Sequence, residues 1–176
     1  LPQDDHIYLD ILKKQPRCCF WFLQGQSDSI TAIFKERMFK LFQKEGHSFE
    51  QYSYFHPRCS LDEFLGFIKE SDIVLDSLNW SGCNTSLDAI SLNKPIVTLP
   101  SSLMRGRHTH GMLKMLDIEE TIASSKEEYV EIAVKLANDI SFRNSIINKV
   151  KKHKNKLFND DKPIRFLEEF FKKTTT

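Results

Sequence analysis

A doubly wound α/β domain with a mostly parallel sheet is the fold class this sequence predicts, and three observations predict it. Short apolar runs alternate with amphipathic stretches of helical period along the 176 residues, the pattern of strands joined by crossover helices. Two capping boxes, Ser60 to Glu63 and Ser125 to Glu128, mark helix starts inside that alternation. Between an apolar run ending at Asp76 and a helical stretch lies the small-residue loop Ser81-Gly82-Cys83-Asn84-Thr85. A strand, a loop of small residues and a helix start are how a parallel sheet presents free backbone N–H groups to an anion.

The elements follow in order. Asp4 to Lys14 reads as a helix, and Cys18 to Leu23 (CCFWFL) as a fully buried strand. Ser27 to Lys44 forms a long amphipathic helix with Ile30, Ile33, Phe34, Met38, Leu41 and Phe42 on its inner side. Gly46 ends it, and Phe49 to Phe55 gives a more alternating strand. After the first capping box, Phe64, Leu65, Phe67 and Ile68 form the inner face of a short helix. The strand at Ile73 to Leu75, the helix at Ser86 to Leu92 and the strand at Ile96 to Leu99 complete the central pattern. Leu103 to Leu116 is expected to be helical, and Glu120 to Ala123 a short edge strand. The second capping box opens the helix from Tyr129 to Ala137. Helices near Phe142 to Phe158 and Pro163 to Lys173 finish the chain, so residues 140–176 read as a helical appendage to one domain spanning 1–176.

Composition narrows the function classes. Hydrophobic residues at 40% and charged residues at 28% describe a globular chain rather than a disordered one. Lys plus Arg number 25 against 24 Asp plus Glu, which leaves no broad basic footprint for nucleic acid. The basic run Lys149 to Lys156 lacks interleaved aromatics and reads as a solvated helix face. No apolar run is long enough for a membrane span. Cys18, Cys19, Cys59 and Cys83 match no zinc spacing; with no signal-peptide pattern at the opening residues, the expected compartment is the reducing cytoplasm.

Three clusters are candidates for binding chemistry, all at carboxyl ends of expected strands, where open α/β sheets hold ligands. In the loop Ser81 to Thr85, Gly82 permits close backbone approach, and Asn84 or Thr85 can cap the helix with its side chain. The helix dipole and first-turn N–H groups favour a diphosphate there. Asp88, one turn on, suits a ligand hydroxyl or an N–H. Simple capping by Asn84 explains the loop without any ligand. The second cluster, Pro100 to His110, brings Arg105, Arg107, His108 and His110. An arginine there can meet phosphate in bidentate fashion, whereas the histidines read as a solvated loop, since a two-residue helical spacing turns them to different faces. No metal site is expected. The third cluster is His56-Pro57-Arg58-Cys59, with Phe64 either a stacking face or, as its spacing with Phe67 and Ile68 favours, a core residue. No Ser-His-Asp or Cys-His arrangement points to nucleophilic catalysis.

The segments HPRCSLDEFLGFIKESDIVLD, WSGCNTSLDAISLNKPIVTLP and MRGRHTHGMLKMLDIEETIASSKEEYVEIAVKLAND run in the order of a known group. They resemble the carboxyl-terminal half of the O-linked N-acetylglucosamine transferase-like glycosyltransferases of family 41, especially the bacterial tetratricopeptide-linked members. The resemblance implies a GT-B architecture of two Rossmann-like domains facing a cleft, this one holding a nucleotide sugar, usually UDP-linked. It implies inverting transfer to a protein Ser, Thr or Asn, with no cofactor and no metal. Ser81, Gly82, Cys83, Asn84, Thr85, Asp88 and Arg107 would surround the diphosphate. Pro57, Arg58, Cys59 and Phe64 would lie by the base and ribose. In the animal enzymes a histidine stands at the position of Cys83, a threonine at Asn84, and a uracil-stacking histidine at Phe64.

The resemblance also implies an incomplete site. The family's lysine at the diphosphate falls just before the segment matching Leu1-Pro2, and no catalytic residue is expected within the chain. The partners expected are the amino-terminal GT-B domain, tetratricopeptide repeats, and a protein acceptor. Doubly wound domains usually begin with a strand, yet this chain opens on a helix. The expectation is a strand preceding Leu1 that is central in the order 3-2-1-4-5-6, and hence a gap in the sheet or a strand supplied from outside. A helix that packs on the sheet unaided is the alternative. Two other functions fit the same residues: a scaffold that has kept the fold, and a transferase acting on a glycan or small molecule.

Overall fold

The computed structural model describes residues 2–25, 27–158 and 160–174; Leu1, whose segment marks the expected position of the family lysine, lies outside them. Helix α1 (His6–Lys14) leads into β1 (Phe20–Leu23), α2 (Asp28–Lys44), β2 (Ser53–His56) and α3 (Leu61–Glu70). Strand β3 (Val74–Leu75), α4 (Asn84–Ser91), β4 (Ile96–Val97) and α5 (His108–Met115) follow, then α6 (Lys126–Asn138), α7 (Ile140–His153), α8 (Asn155–Phe158) and α9 (Lys162–Thr174). All described strand pairings are parallel: β1 with β2, β3 with β4, and a bridge from Thr98 to Ile122 beyond β4. The alternation read from the sequence is therefore the architecture.

The sheet is in two halves. Among the described residues no ladder joins β1–β2 to β3–β4. The hydrogen-bonded orders are β2-β1 and β3-β4-Ile122, with a gap between the two ladders. Val74 and Asp76 donate their N–H groups to Pro95 and Val97, so strand alternation turns the Leu75 N–H away from β4, toward the gap. The burial agrees: Ile96 and Val97 are fully buried, Val74 and Leu75 only half-buried. A cavity of about 230 Å³ lies beside β3, lined by Leu75 and Asp76 and by Tyr8, Phe34 and Arg37 from the helices.

Several elements depart from their expected form. Cys18 and Cys19 precede β1 rather than opening it, and the second face of the strand is only partly covered: Trp21, which packs on Phe67 and Tyr54, and Leu23 are 42% and 43% exposed. Phe20 and Phe22 point the other way, into a cluster with Tyr8, Phe34, Phe49 and Phe55. Phe22 stacks on Phe55 at 5.0 Å across the parallel register. The expected strand from Phe49 begins at Ser53, because Phe49–Tyr52 makes a 3₁₀ turn that buries Phe49 in this cluster. On α2 the inner stripe is Thr31, Phe34, Met38 and Phe42, spaced three, four and four residues. Ile30 and Ile33 lie off that stripe and are both 61% exposed.

The expected edge strand at Glu120 to Ala123 is reduced to the single bridge at Ile122. Both sites start helices, but only the first box closes reciprocally: Ser60 accepts from the Glu63 N–H and Glu63 from the Ser60 N–H, whereas Ser125 accepts from the Glu128 N–H and the Glu128 carboxylate accepts from the Ser124 N–H. Phe64 packs half-buried against the core, the reading its spacing favoured. Helix α1 buries Ile7, Leu9, Ile11 and Leu12 and packs on α6. No helix among the described residues is long and apolar enough to cross a membrane.

Candidate functional site: a helix start organised by Asp76

The loop after β3 is built around one carboxylate. Asp76, buried at the strand end, accepts from Ser81 Oγ at 2.8 Å, the Gly82 N–H at 2.7 Å and Thr98 Oγ1 at 2.6 Å. Its own carbonyl accepts from the buried Tyr129 hydroxyl at 3.0 Å, and burial pushes that phenol well above its ordinary pKa. The network continues through Thr109, whose N–H donates to Ser81 Oγ at 3.0 Å and whose hydroxyl lies 2.7 Å from Ser86 Oγ. Loop, α4 and α5 are thus fastened to one another by buried polar groups that satisfy each other.

Gly82 is required by contact. A Cβ at this position would stand 2.5 Å from Ser86 Oγ and 2.7 Å from Thr85 Oγ1, closer than real side chains pack. Helix α4 starts two residues earlier than expected, at Asn84, with Cys83 as N-cap and no side-chain cap bond. Neither Asn84 nor Thr85 caps; both occupy the first turn, because the Asp76 network pulls the chain into the helix ahead of them. The first intrahelical donor is Leu87, bonded to the Cys83 carbonyl. The Asn84, Thr85 and Ser86 N–H groups consequently have no acceptor within the helix.

Those residues line a cavity of about 640 Å³ together with Ser81, Gly82, Cys83, Trp80, Arg105 and His108. Of the residues expected at a diphosphate, Ser81 through Thr85 all line it. Asp88 is half-buried one turn into α4, and exposed Arg107 caps α5; neither belongs to the lining. The expected helix from Leu103 is broken into a 3₁₀ turn, Met104–Gly106, and α5. That break directs Arg105 rather than Arg107 to the cavity. His108 is half-buried in the wall instead of solvated, its Nδ1 enclosed without a hydrogen-bond partner among the described residues. Pro57 and Arg58 are exposed and Cys59 and Phe64 half-buried after β2, outside this lining.

Sequence reasoning missed Asp76, Thr98, Thr109 and Trp80 as parts of the site. Only Asp76, a lone carboxylate ending an apolar strand, carries a signal that sequence could have exploited.

The model of glycosyl transferase family 41 matches residues 2–164. A probable UDP-N-acetylglucosamine–peptide N-acetylglucosaminyltransferase SPINDLY of Solanum lycopersicum is 31% identical over 70 residues, 40% of this chain and 8% of that protein. The UDP-N-acetylglucosamine–peptide N-acetylglucosaminyltransferase of Caenorhabditis elegans is 33% identical over 69 residues, 39% of this chain and 6% of that protein. A UDP-glucose:protein N-beta-glucosyltransferase of Actinobacillus pleuropneumoniae is 26% identical over 121 residues, 68% of this chain and 18% of that protein. The chain therefore spans less than a fifth of the length of each of these relatives. A solved mutant of the Thermobaculum terrenum O-GlcNAc transferase superimposes with a TM-score of 0.74 at 24% identity, over 84% of this chain and 28% of that one. That superposition establishes the Rossmann-like α/β fold. With the family match running through both half-sheets and the Asp76 loop, this chain belongs to glycosyl transferase family 41.

Proposed function

We propose that this chain is the nucleotide-sugar-binding part of a cytoplasmic inverting glycosyltransferase that modifies protein side chains, with a UDP-sugar as donor. The observation that carries the reading is the open first turn of α4. Its Asn84, Thr85 and Ser86 N–H groups have no intrahelical acceptor and stand in the wall of a cavity large enough for a nucleotide sugar. A diphosphate seated there receives backbone donors and the positive end of the helix dipole, and the Thr85 hydroxyl adds a further donor.

The chemistry follows from where charge develops. In glycosyl transfer the bond from the anomeric carbon to the diphosphate breaks, and negative charge grows on the leaving oxygens. Donors already aimed at those oxygens stabilise that charge without reorganising. The Asp76 network supplies the rigidity, since it fixes Gly82 and Ser81 by buried hydrogen bonds rather than by solvent-exposed contacts. Arg105, in the same cavity wall, is a cationic side chain available to the diphosphate. The printed names of the relatives, which act on peptide or protein, support a protein acceptor.

Calorimetry with UDP and the intact protein tests the reading. Saturable binding that is weakened when Thr85 is replaced by Ala supports it. No uridine nucleotide binding overturns it, and the scaffold function then stands in its place.

A further inference from the structure

Trp80 is 68% exposed, yet it is anything but loosely held. It follows Asn79, a non-glycine residue in the left-handed region at φ 63°, a conformation that costs free energy and persists only where the surroundings fix it. They do fix it: Asn79 Nδ2 donates to Asp4 Oδ2 at 3.2 Å. On the other side, the Ser81 N–H donates to the Arg105 carbonyl at 2.8 Å. The Arg105 guanidinium lies over the Trp80 ring, 5.5 Å from its centroid. Gly106 permits this approach, since a Cβ there would stand 2.0 Å from Ser101 Oγ and 3.3 Å from the Asn79 carbonyl carbon. A strained backbone, a tethered neighbour and a stacked cation together present a large aromatic face at the wall of the cavity that contains the α4 first turn.

We infer that Trp80 is the stacking surface for the pyranose ring of the donor, an inference that rests on the donor-site reading above. Position within the ligand decides between sugar and base. The pyranose is joined directly to the diphosphate through one ester oxygen, whereas the base is separated from it by the whole ribose. Trp80 precedes Asn84 by four residues, so at most about 14 Å of chain separates their Cα atoms, and both line one cavity. Pro57, Arg58 and Cys59, where the resemblance implies the nucleoside, lie outside that lining. The ring within reach of Trp80 is therefore the one bonded to the phosphate. An indole offers the apolar C–H face of a pyranose a wide flat contact, and its Nε1–H a donor for a ring hydroxyl.

The test compares ligands with and without the sugar. The emission of Trp80 is read as the difference between the protein and its Trp80→Phe variant, measured under the same conditions. In the intact protein, UDP-glucose and UDP-N-acetylglucosamine should shift that emission and UDP should leave it nearly unchanged. By calorimetry, Trp80→Ala should weaken binding of the UDP-sugars by about tenfold while leaving UDP within about twofold, the contribution expected of one aromatic contact. Trp80→Phe should recover most of the loss. Equal weakening of UDP and UDP-sugars, or none of either, overturns the stacking role while leaving the diphosphate site intact. A wild-type protein that binds no UDP overturns the donor site itself and the stacking role with it.

Discussion

Replacing Asp76 by Ala should cost far more than its single side chain suggests. The carboxylate accepts three hydrogen bonds, from Ser81 Oγ, the Gly82 N–H and Thr98 Oγ1. Thr98 is fully buried and Ser81 nearly so; water cannot readily take the place of the lost acceptor. Bonds to a charged acceptor contribute roughly 1.5–3 kcal/mol each, and a buried donor left unsatisfied costs roughly 1–3 kcal/mol. Allowing for overlap and relaxation of the exposed part of the loop, Asp76→Ala should destabilise the chain by about 3–5 kcal/mol. Asp76→Asn keeps one acceptor oxygen for the Gly82 N–H, and the two hydroxyls can turn to accept from its amide. Its cost should stay near about 1–2 kcal/mol. Urea unfolding followed by circular dichroism measures both, and UDP calorimetry under native conditions should show the Ala variant weakened more than the Asn variant. An Ala variant within about 1 kcal/mol of wild type would refute the claim that this carboxylate organises the loop.

Three further outcomes are expected. Burial and the neighbouring Asp5 and Asp4 carboxylates push the Tyr8 phenol from 10.0 up to about 12. A raised folded-state value means stability fully present below pH 10 and lost as pH rises toward 12. Alkaline titration should therefore show tyrosinate absorbance rising with unfolding, and Tyr8→Phe should shift the transition upward. Cys83, exposed at the N-cap of α4 in the cavity wall, should react with iodoacetamide more slowly when UDP is present; identical rates would count against a diphosphate at this helix start. Gly106→Ala should weaken UDP-sugar binding through displacement of Ser101 and Asn79, with a smaller effect on UDP, as read by the same calorimetry.

The sequence carried the periodicities and the caps well and the placement of side chains unevenly. The boxes at Ser60 and Ser125 were legible because both partners of the cap lie within four residues. The loop Ser81 to Thr85 was legible for the same reason: its small residues announce a close backbone approach. Trp80, Thr98 and Thr109 were not, because their contacts reach 25, 22 and 28 residues along the chain, to Arg105, Asp76 and Ser81. The break at Arg107 was equally hidden. The Ser101 N–H donates to the Gly106 carbonyl, and the chain turns there instead of continuing as helix. On α2, hydrophobicity alone turns Ile30 and Ile33 inward, whereas the packed stripe follows Thr31.

The divided sheet makes this domain less a plate than two tiles held by a clamp. The α4 start and everything fastened to Asp76 ride on β3–β4, and the segment from His56 to Cys59 rides on β1–β2. Adjacent carboxylates hold the tiles: Asp5 pairs with Arg37 on α2, while Asp4 meets Lys126 on α6 and Asn79 beside Trp80. The distance between the two ends of any ligand laid across both tiles is therefore set by the shared apolar core and these side-chain pairs, with no backbone ladder joining the tiles among the described residues.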